Sequence, residues 1–430
     1  MASTTYLTRT TGTPTNSKKF TVSGWFKIFD ASENQFLQHY TDANNREHMY
    51  FSADTLRWYC NSGGSDAVLI KPSMLFRDRN AFYHIVVACD TTQATASDRV
   101  KVYVNGSQIT SFDTATYPSQ NFDFLINSNN KLLAIGRYMG SNNYYYDGVI
   151  SHFHFIDGTQ YQASDFGSTD STTGEWKINP APNVTYGNNG YWILKDGNTI
   201  TDSSPNSNNF SLGGGTLTKT EDNPSNVFAT MNALSKSLSN VVLSKGNTIC
   251  RNDNSANGNV LGTIALGNVK YYWETYKHGG GNTGLGITLA SVDGSNHSAV
   301  HGSRVNYYQD GYIYQNGFGL SDINTGVTYA DGDIIGVSVD TENGTIKFYK
   351  NGVLVNNSSQ TNSAFTYAQN ELIPFWFFSN GGEWRTNFGN GYFGTTAISS
   401  AGTNASGNGI FEYDVQPTDA TALSTKGLNL

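Results

Sequence analysis

Cysteine is scarce. Cys60, Cys89 and Cys250 are the only three in 430 residues. An odd, scattered count without a C-x-x-C pair excludes a disulfide scaffold and a zinc cluster, and leaves buried free thiols as the expectation. Charge is scarce too, at 14% Asp, Glu, Lys and Arg against about a quarter in ordinary globular domains. The net charge is −8 and no long basic run occurs, so nucleic-acid binding has no electrostatic footing. No apolar stretch approaches the roughly 20 residues of a membrane-spanning helix. The first sixteen residues are polar and lack the basic and apolar regions of a signal peptide. Helical periodicity is nearly absent. Its best candidate is 227–243, with apolar Val227, Met231, Leu234, Leu238 and Val242.

What remains is a strand-and-turn composition. Aromatics reach 13%, with 26 Tyr and 24 Phe, and glycine numbers 45. The length suits two domains. Short alternating runs punctuated by Gly, Asn and Asp fit an all-β class. The strongest local signals are two Asn-Gly hairpins. Lys101-Val-Tyr-Val104 leads through Asn105-Gly106 into Ser107-Gln-Ile-Thr110, and Ile346-Lys-Phe-Tyr-Lys350 leads through Asn351-Gly352 into Val353-Leu-Val355. Two-residue hairpin loops need positive φ at both positions, which Asn tolerates and Gly adopts freely. Each hairpin follows an apolar strand ending in Asp, His84 to Asp90 and Ile334 to Asp340. The repeat of this unit, about 250 residues apart, argues for two similar β-sandwich domains. The expected division is a domain at 1–178, a connector at 179–226 and a domain at 227–430. The connector is rich in Gly, Asn, Ser and Pro, with one short strand at Tyr191-Trp-Ile-Leu194.

These residues resemble known families. Phe20-Thr-Val-Ser-Gly-Trp-Phe26, the run through the first hairpin, Leu132-Leu-Ala-Ile-Gly136 and Tyr146-Asp-Gly-Val-Ile-Ser-His-Phe-His154 are similar to the laminin-G-like, concanavalin-A-type jelly roll over residues 15–165. Tyr271-Tyr-Trp-Glu-Thr275, Gly284-Leu-Gly-Ile287, the run from Gly332 through Gly352, Leu372-Ile-Pro-Phe-Trp376 and Asn387-Phe-Gly389 resemble a SPRY domain, in the family's order. The resemblance implies two antiparallel jelly-roll or sandwich domains. Asp222-Asn-Pro-Ser-Asn-Val-Phe228 and the stretch 417–430 resemble segments of bacteriophage virion structural proteins. That likeness implies a tail fibre or capsid decoration, made in a host cytoplasm and carried on the virion, which fits reduced cysteines without an export signal.

Catalytic chemistry finds little support. A retaining glycosidase needs two carboxylates about 5 Å apart, often as E-x-D-x-E on one strand, and that pattern is missing. Asp340-Thr-Glu342 reads as a turn. His152 and His154 alternate with Phe153 and Phe155 and read as two histidines on the polar face of a strand. His297 and His301 lack H-E-x-x-H and read as loop residues, and Gly279-Gly-Gly281 reads as a turn. The resemblance to laminin-G-like modules, which often bind calcium through loop carboxylates and carbonyls, implies calcium as a cofactor, with Asp147 and Asp42 as its candidate ligands.

Binding surfaces remain. Asn142, Asn143, Tyr144, Tyr145 and Tyr146 precede the closing strand of the first domain, and three consecutive aromatics cannot all point inward. Tyr faces stack on sugars and Asn bonds hydroxyls. Trp58 and Tyr59 read as strand core. In the second domain Tyr307, Tyr308, Tyr312, Tyr314 and Trp384, which reads as a loop residue, are candidate contacts. The expectation is a non-enzymatic virion protein, a homo-oligomer among other virion proteins, recognising host surface glycans or proteins. A structural cement of the particle is the alternative, and a glycan hydrolase a third.

Overall fold

The computed structural model describes residues 4–141, 143–195, 197–237, 241–253 and 256–429. The chain is nearly all β and forms two compact units: Met1–Thr218 with Asn223–Ser225, and Lys219–Asp222 with Asn226–Leu430. Among the described residues no helix is long and apolar enough to cross a membrane.

The first unit packs an eight-stranded sheet against a six-stranded one. The eight-stranded order is Phe112–Thr116, Ser65–Pro72, Thr55–Ser62, Asn45–Ser52, Asn34–Asp42, Leu132–Ile135, Tyr6–Thr10 and Ser211–Gly214. The six-stranded order is Tyr191–Ile193, Gly148–Asp157, Lys19–Ile28, Tyr83–Asp90, Val100–Val104 and Ser107–Gln108. Phe20, Phe26, Phe36, Met49, Phe51 and Trp58 are among the side chains filling the space between them. Every residue of Tyr83–Asp90 is buried, because a second cluster with Phe166, Tyr186 and Trp192 covers the back of that sheet. Coverage on both faces explains why this strand reads as a continuous apolar run instead of alternating.

That cover changes the meaning of 179–226. The segment is not a free connector. Up to Thr218 it belongs to the first unit, with Tyr191–Ile193 and Ser211–Gly214 each completing a sheet. Its Asn- and Ser-rich composition is spent on local bonds: the Asp202 carboxylate accepts the Ser204 and Asn208 N–H groups at 2.8 and 2.7 Å.

The second unit packs a seven-stranded sheet against a nine-stranded one. The first has the order Met231–Lys236, Gly258–Gly262, Leu372–Ser379, Asn282–Leu289, Arg304–Tyr308, Tyr312–Asn316, Ile323–Asn324. The second is centred on Gly382–Asn387, Lys270–His278, Ile334–Asp340 and Thr345–Lys350. Trp273, Tyr307, Phe348, Trp376 and Trp384 lie in the core between them.

The helical expectation over 227–243 is overturned. Met231–Lys236 and Val241–Ser244 are strands, and Leu234 of the supposed apolar stripe is 95% exposed; Leu238 lies outside the described residues. The segment is rich in Ser and Asn, which support a helix poorly, and pairing with Gly258–Gly262 outweighs its periodicity. Conversely His297–His301, expected in a loop, forms one helical turn whose N-cap Asn296 accepts the Ala299 N–H at 3.1 Å. Both Asn-Gly hairpins have the required backbone: φ is 45° and 81° at Asn105 and Gly106, and 50° and 78° at Asn351 and Gly352. The three cysteines are buried and free, and burial raises each thiol pKa.

Candidate functional site: an aromatic face on the first unit

Alternation along a strand sends successive side chains to opposite faces. In Asn45–Ser52, Met49 and Phe51 enter the core, so Arg46, His48 and Tyr50 stand on the outer face. In Thr55–Ser62, Trp58 and Cys60 enter the core, leaving Arg57, Tyr59 and Asn61 outside. The sequence expectation of Tyr59 in the core beside Trp58 is corrected by the pleat, which sends the two to opposite faces. Register aligns the outer set: His48 is opposite Tyr59 and Gln38, Tyr40 is opposite Arg46, and Tyr50 is opposite Arg57.

The result is an aromatic and cationic platform. The His48 ring stacks on Tyr50 at 4.7 Å and meets Tyr59 edge-on at 5.5 Å. The Arg46 guanidinium lies 5.2 Å over the Tyr59 ring and donates to the Tyr138 hydroxyl at 3.1 Å. Tyr138 arrives on the loop after Leu132–Ile135, packs on His48 at 5.3 Å and Tyr40 at 5.6 Å, and touches Tyr144 at 6.3 Å. Burial, then the Arg46 charge, pushes His48 down to about 3, so its imidazole is neutral at ordinary pH. Its Nδ1 is 3.2 Å from Gln35 Oε1. Beside it Gln38 is fully buried with neither amide atom hydrogen-bonded within the protein, and Arg46 Nε is likewise unmatched. Such groups are costly to leave unsatisfied. The platform therefore presents ring faces, with unmatched donors and acceptors buried beneath them.

The three consecutive tyrosines separate as steric reasoning requires. Tyr144, at φ 63°, is 47% exposed at the rim. Tyr145 is half-buried against Tyr6 at 6.3 Å. Tyr146 is buried, its ring in the core beside Phe26 and its hydroxyl donating to the Lys27 carbonyl at 3.1 Å, so it is not a ligand contact. Asn143 is exposed, and Asn142 lies outside the described residues.

Other candidates are redistributed. Tyr307 is fully buried, donating to the Val327 carbonyl at 2.5 Å. Trp384 is fully buried inside the strand Gly382–Asn387, opposite Cys250 and Lys277, and not in a loop. Both are core residues, because each alternates onto the inner face. Tyr308, Tyr312 and Tyr314 occupy the outer face of the seven-stranded sheet. His152 and His154 are buried and not on a polar, solvated face: the segment after Asp157 covers them, and His154 Nδ1 lies 2.9 Å from the Tyr186 hydroxyl. A bulge between Ser151 and His154, with His152 at φ 48°, disrupts the simple alternation. Asp340 accepts the Glu342 and Asn343 N–H groups at 3.0 and 2.9 Å, a turn and not a catalytic pair.

The calcium candidates do not converge. Asp42 accepts the Asn44 N–H at 2.8 Å in its own hairpin turn, and the Asp147 main chain is bonded to Asn34 and Phe29 at 2.7 and 2.9 Å. Among the described residues no group of three or more His, Cys, Asp or Glu could hold a metal ion.

Sequence reasoning missed Tyr40, Arg46, His48, Tyr50, Tyr59 and Tyr138 as a set. The signal was present as Arg46-Glu-His-Met-Tyr50, where cationic and aromatic residues alternate with inward ones.

Residues 2–163 match the concanavalin A-like lectin/glucanases superfamily, and residues 270–391 match the SPRY domain. The chain carries a laminin-G-like domain and a SPRY domain. The aromatic platform belongs to the laminin-G-like domain. Among curated proteins none matches the chain. Similar solved structures include the SPRY domain of human HERC1, at 22% identity over 36% of this chain and 94% of that one with a TM-score of 0.28. Stonustoxin is similar at 18% identity over 37% of this chain and 27% of its own, with a TM-score of 0.27. The TRIM65 PSpry domain is similar at 13% identity over 36% and 87%, with a TM-score of 0.29.

Proposed function

We propose that this protein is a non-enzymatic virion surface protein, a tail fibre or decoration, that recognises host surface glycans through the laminin-G-like domain. The observation that carries the binding claim is the platform of Tyr40, His48, Tyr50, Tyr59 and Tyr138, with exposed Tyr144 at its rim and the unmatched amide of Gln38 within it. Sugar rings present apolar faces that stack on tyrosines and hydroxyls that bond amides and guanidinium groups. The assignment to a virion rests on the likeness of the flanking segments to phage proteins, and homo-oligomers and other virion proteins are the expected partners. A glycan array with the full chain, followed by a host-cell binding assay, tests it. Tyr144→Ala should weaken binding about tenfold; a parent protein that binds no host glycan overturns the reading.

A second reading, structural cement, is favoured by the apolar edge strand Val353–Leu354, whose residues are 69% and 50% exposed. It predicts that this edge is covered by a neighbouring subunit on the particle, which imaging of the virion decides.

A further inference from the structure

The SPRY domain has an open question on the outer face of its seven-stranded sheet. In Arg304–Tyr308, Val305 and Tyr307 enter the core, so Arg304, Asn306 and Tyr308 stand on the opposite face. Asn306 is opposite Gly286 on one side and Tyr314 on the other, and Tyr308 is opposite Gly284. The glycines leave room for the amide: a Cβ at Gly284 would come within 2.5 Å of Asn306 Nδ2. Asn306 is fully buried, yet neither its Nδ2 nor its Oδ1 has a partner in the protein. Arg304 is 4% exposed, and its Nε and Nη1 have none either.

The guanidinium is held by rings. Its Cζ lies 5.2 Å over Phe377 and 5.5 Å over Tyr314. Ring stacking engages the flat faces of a guanidinium and leaves the in-plane N–H fork for a carboxylate. Asp322 acts on the guanidinium through its charge, but neither neighbouring carboxylate occupies the fork. Asp310 accepts from the Tyr314 hydroxyl and the Tyr312 N–H, both at 2.8 Å, and Asp322 accepts the Gln315 N–H at 2.9 Å. His297 and His301, packed on Phe377 at 5.4 and 5.8 Å, are pushed down by burial and by Arg304, His301 to about 4, so they add no positive charge at neutral pH. A desolvated cation without an ion pair is expensive to maintain. The rim is aromatic: Tyr312 is 37% exposed and stacks on Tyr314 at 5.9 Å.

We propose that this face is a second binding site, which takes the carboxylate of an acidic saccharide on the Arg304 fork and the Asn306 amide, with the sugar ring against Tyr312 and Tyr314. A sugar fits better than an extended peptide, because Asn282–Leu289, Arg304–Tyr308 and Tyr312–Asn316 are interior strands, paired on both sides, and offer no edge for strand addition. The site stands on the SPRY domain alone and does not depend on the platform in the laminin-G-like domain.

The test is calorimetric titration of the full chain carrying Tyr144→Ala, which weakens the other face about tenfold, with oligogalacturonate and with a neutral galactan of equal length. The acidic oligomer should bind at least about tenfold more tightly, and Arg304→Lys, which keeps the charge but loses the fork, should remove about tenfold. Tyr312→Ala, at an exposed ring that the fold does not need, should weaken binding several-fold, and so provides the answer if thermal melting reports that Arg304→Lys is unfolded. No binding of the acidic oligomer, equal affinity for the neutral one, or folded variants that bind like the parent each overturn the proposal.

Discussion

In the first unit Asn105 donates its main-chain N–H to the His84 carbonyl at 2.9 Å and accepts the His84 N–H on its side chain at 2.8 Å. In the second, Asn351 makes the same pair with Ile334, both at 2.8 Å. The likeness extends outward. Lys19 faces Asp90 in one unit, and Lys270 faces Asp340 in the other. In both, the glycine of the hairpin lies under an aromatic ring from a later segment: a Cβ at Gly106 would meet Trp176 at 2.4 Å, and one at Gly352 would meet Tyr413 at 2.7 Å. Each unit thus folds a later stretch of chain over the same three-stranded motif.

The fastening of that cover differs. In the first unit a neutral imidazole does it. His84 is stacked by Trp25 at 4.8 Å, accepts the Trp176 indole N–H on Nδ1 at 3.0 Å, and reaches Ser23 through Nε2 at 2.9 Å. With Nδ1 accepting, the proton sits on Nε2. In the second unit a buried carboxylate does it. Glu274 accepts the Glu412 and Tyr413 N–H groups at 2.7 and 2.9 Å and the Tyr272 hydroxyl at 3.2 Å. One motif therefore tolerates two chemistries of attachment, because the hairpin fixes the backbone and leaves the outward side chains free to vary.

The largest expected break in this parallel is Glu274→Ala. It strands two half-buried N–H groups and opens a cavity where the fully buried side chain stood, and should cost the second unit about 3 kcal/mol. Hydrogen exchange read by mass spectrometry should register it in peptides around 334–354 and leave those around 83–107 protected.

The two fasteners also respond to pH with opposite sign. Burial pushes Glu274 from 4.5 up to about 7. The folded state then holds more protons than the unfolded one between those values, so its contribution is complete below about 4.5 and is lost as pH rises through 7, by about 3 kcal/mol. Burial pushes His84 from 6.5 down to about 3. Its contribution is complete above 6.5 and is lost as pH falls toward 3. Glu47 in the first unit, held by Trp58 Nε1 and the Ile126 N–H at 3.1 Å each, is also pushed up to about 7 by burial, so the sharp comparison is by variant. Glu274→Gln should flatten the pH 4.5–7 slope of the second unit in denaturant titrations and leave that of the first unchanged.

Gly106→Ala and Gly352→Ala should each cost about 2 kcal/mol, from positive φ and the overlapping ring together. Equal losses in thermal melting would mark the two motifs as energetically equivalent, and a much smaller loss at one would mark its cover as loosely held. The smallest stability effect is expected for Tyr144→Ala, within about 0.5 kcal/mol, so that any loss of glycan affinity in that variant is a loss of contact.

Much of this was legible in the residues. The hairpins were, since positive φ at Asn-Gly is a property of two adjacent residues. The pair of sandwiches followed from their repetition. The platform was only half legible: the alternation of Arg46, His48 and Tyr50 marks one face of a strand, but pairing with Tyr59 and Tyr40 is set by register over distant segments. Trp384 was misplaced for the same reason, since its neighbours Gly381 and Gly382 suggest a loop while pairing on both sides makes it a central strand residue. The stretch 179–218 misled because low hydrophobicity signals a linker, whereas its few aromatics, Tyr186, Tyr191 and Trp192, suffice to dock it.

By itself the sequence determined the β class, the two turns of the repeated motif and the burial of three thiols, because each follows from local sterics or composition. Only the tertiary structure decided which tyrosines face outward, that His84 and Glu274 fasten equivalent covers, and that Arg304 and Asn306 are buried with donors unused. Those outcomes depend on which strand lies beside which, and register joins residues too far apart in the chain for local pattern to relate them.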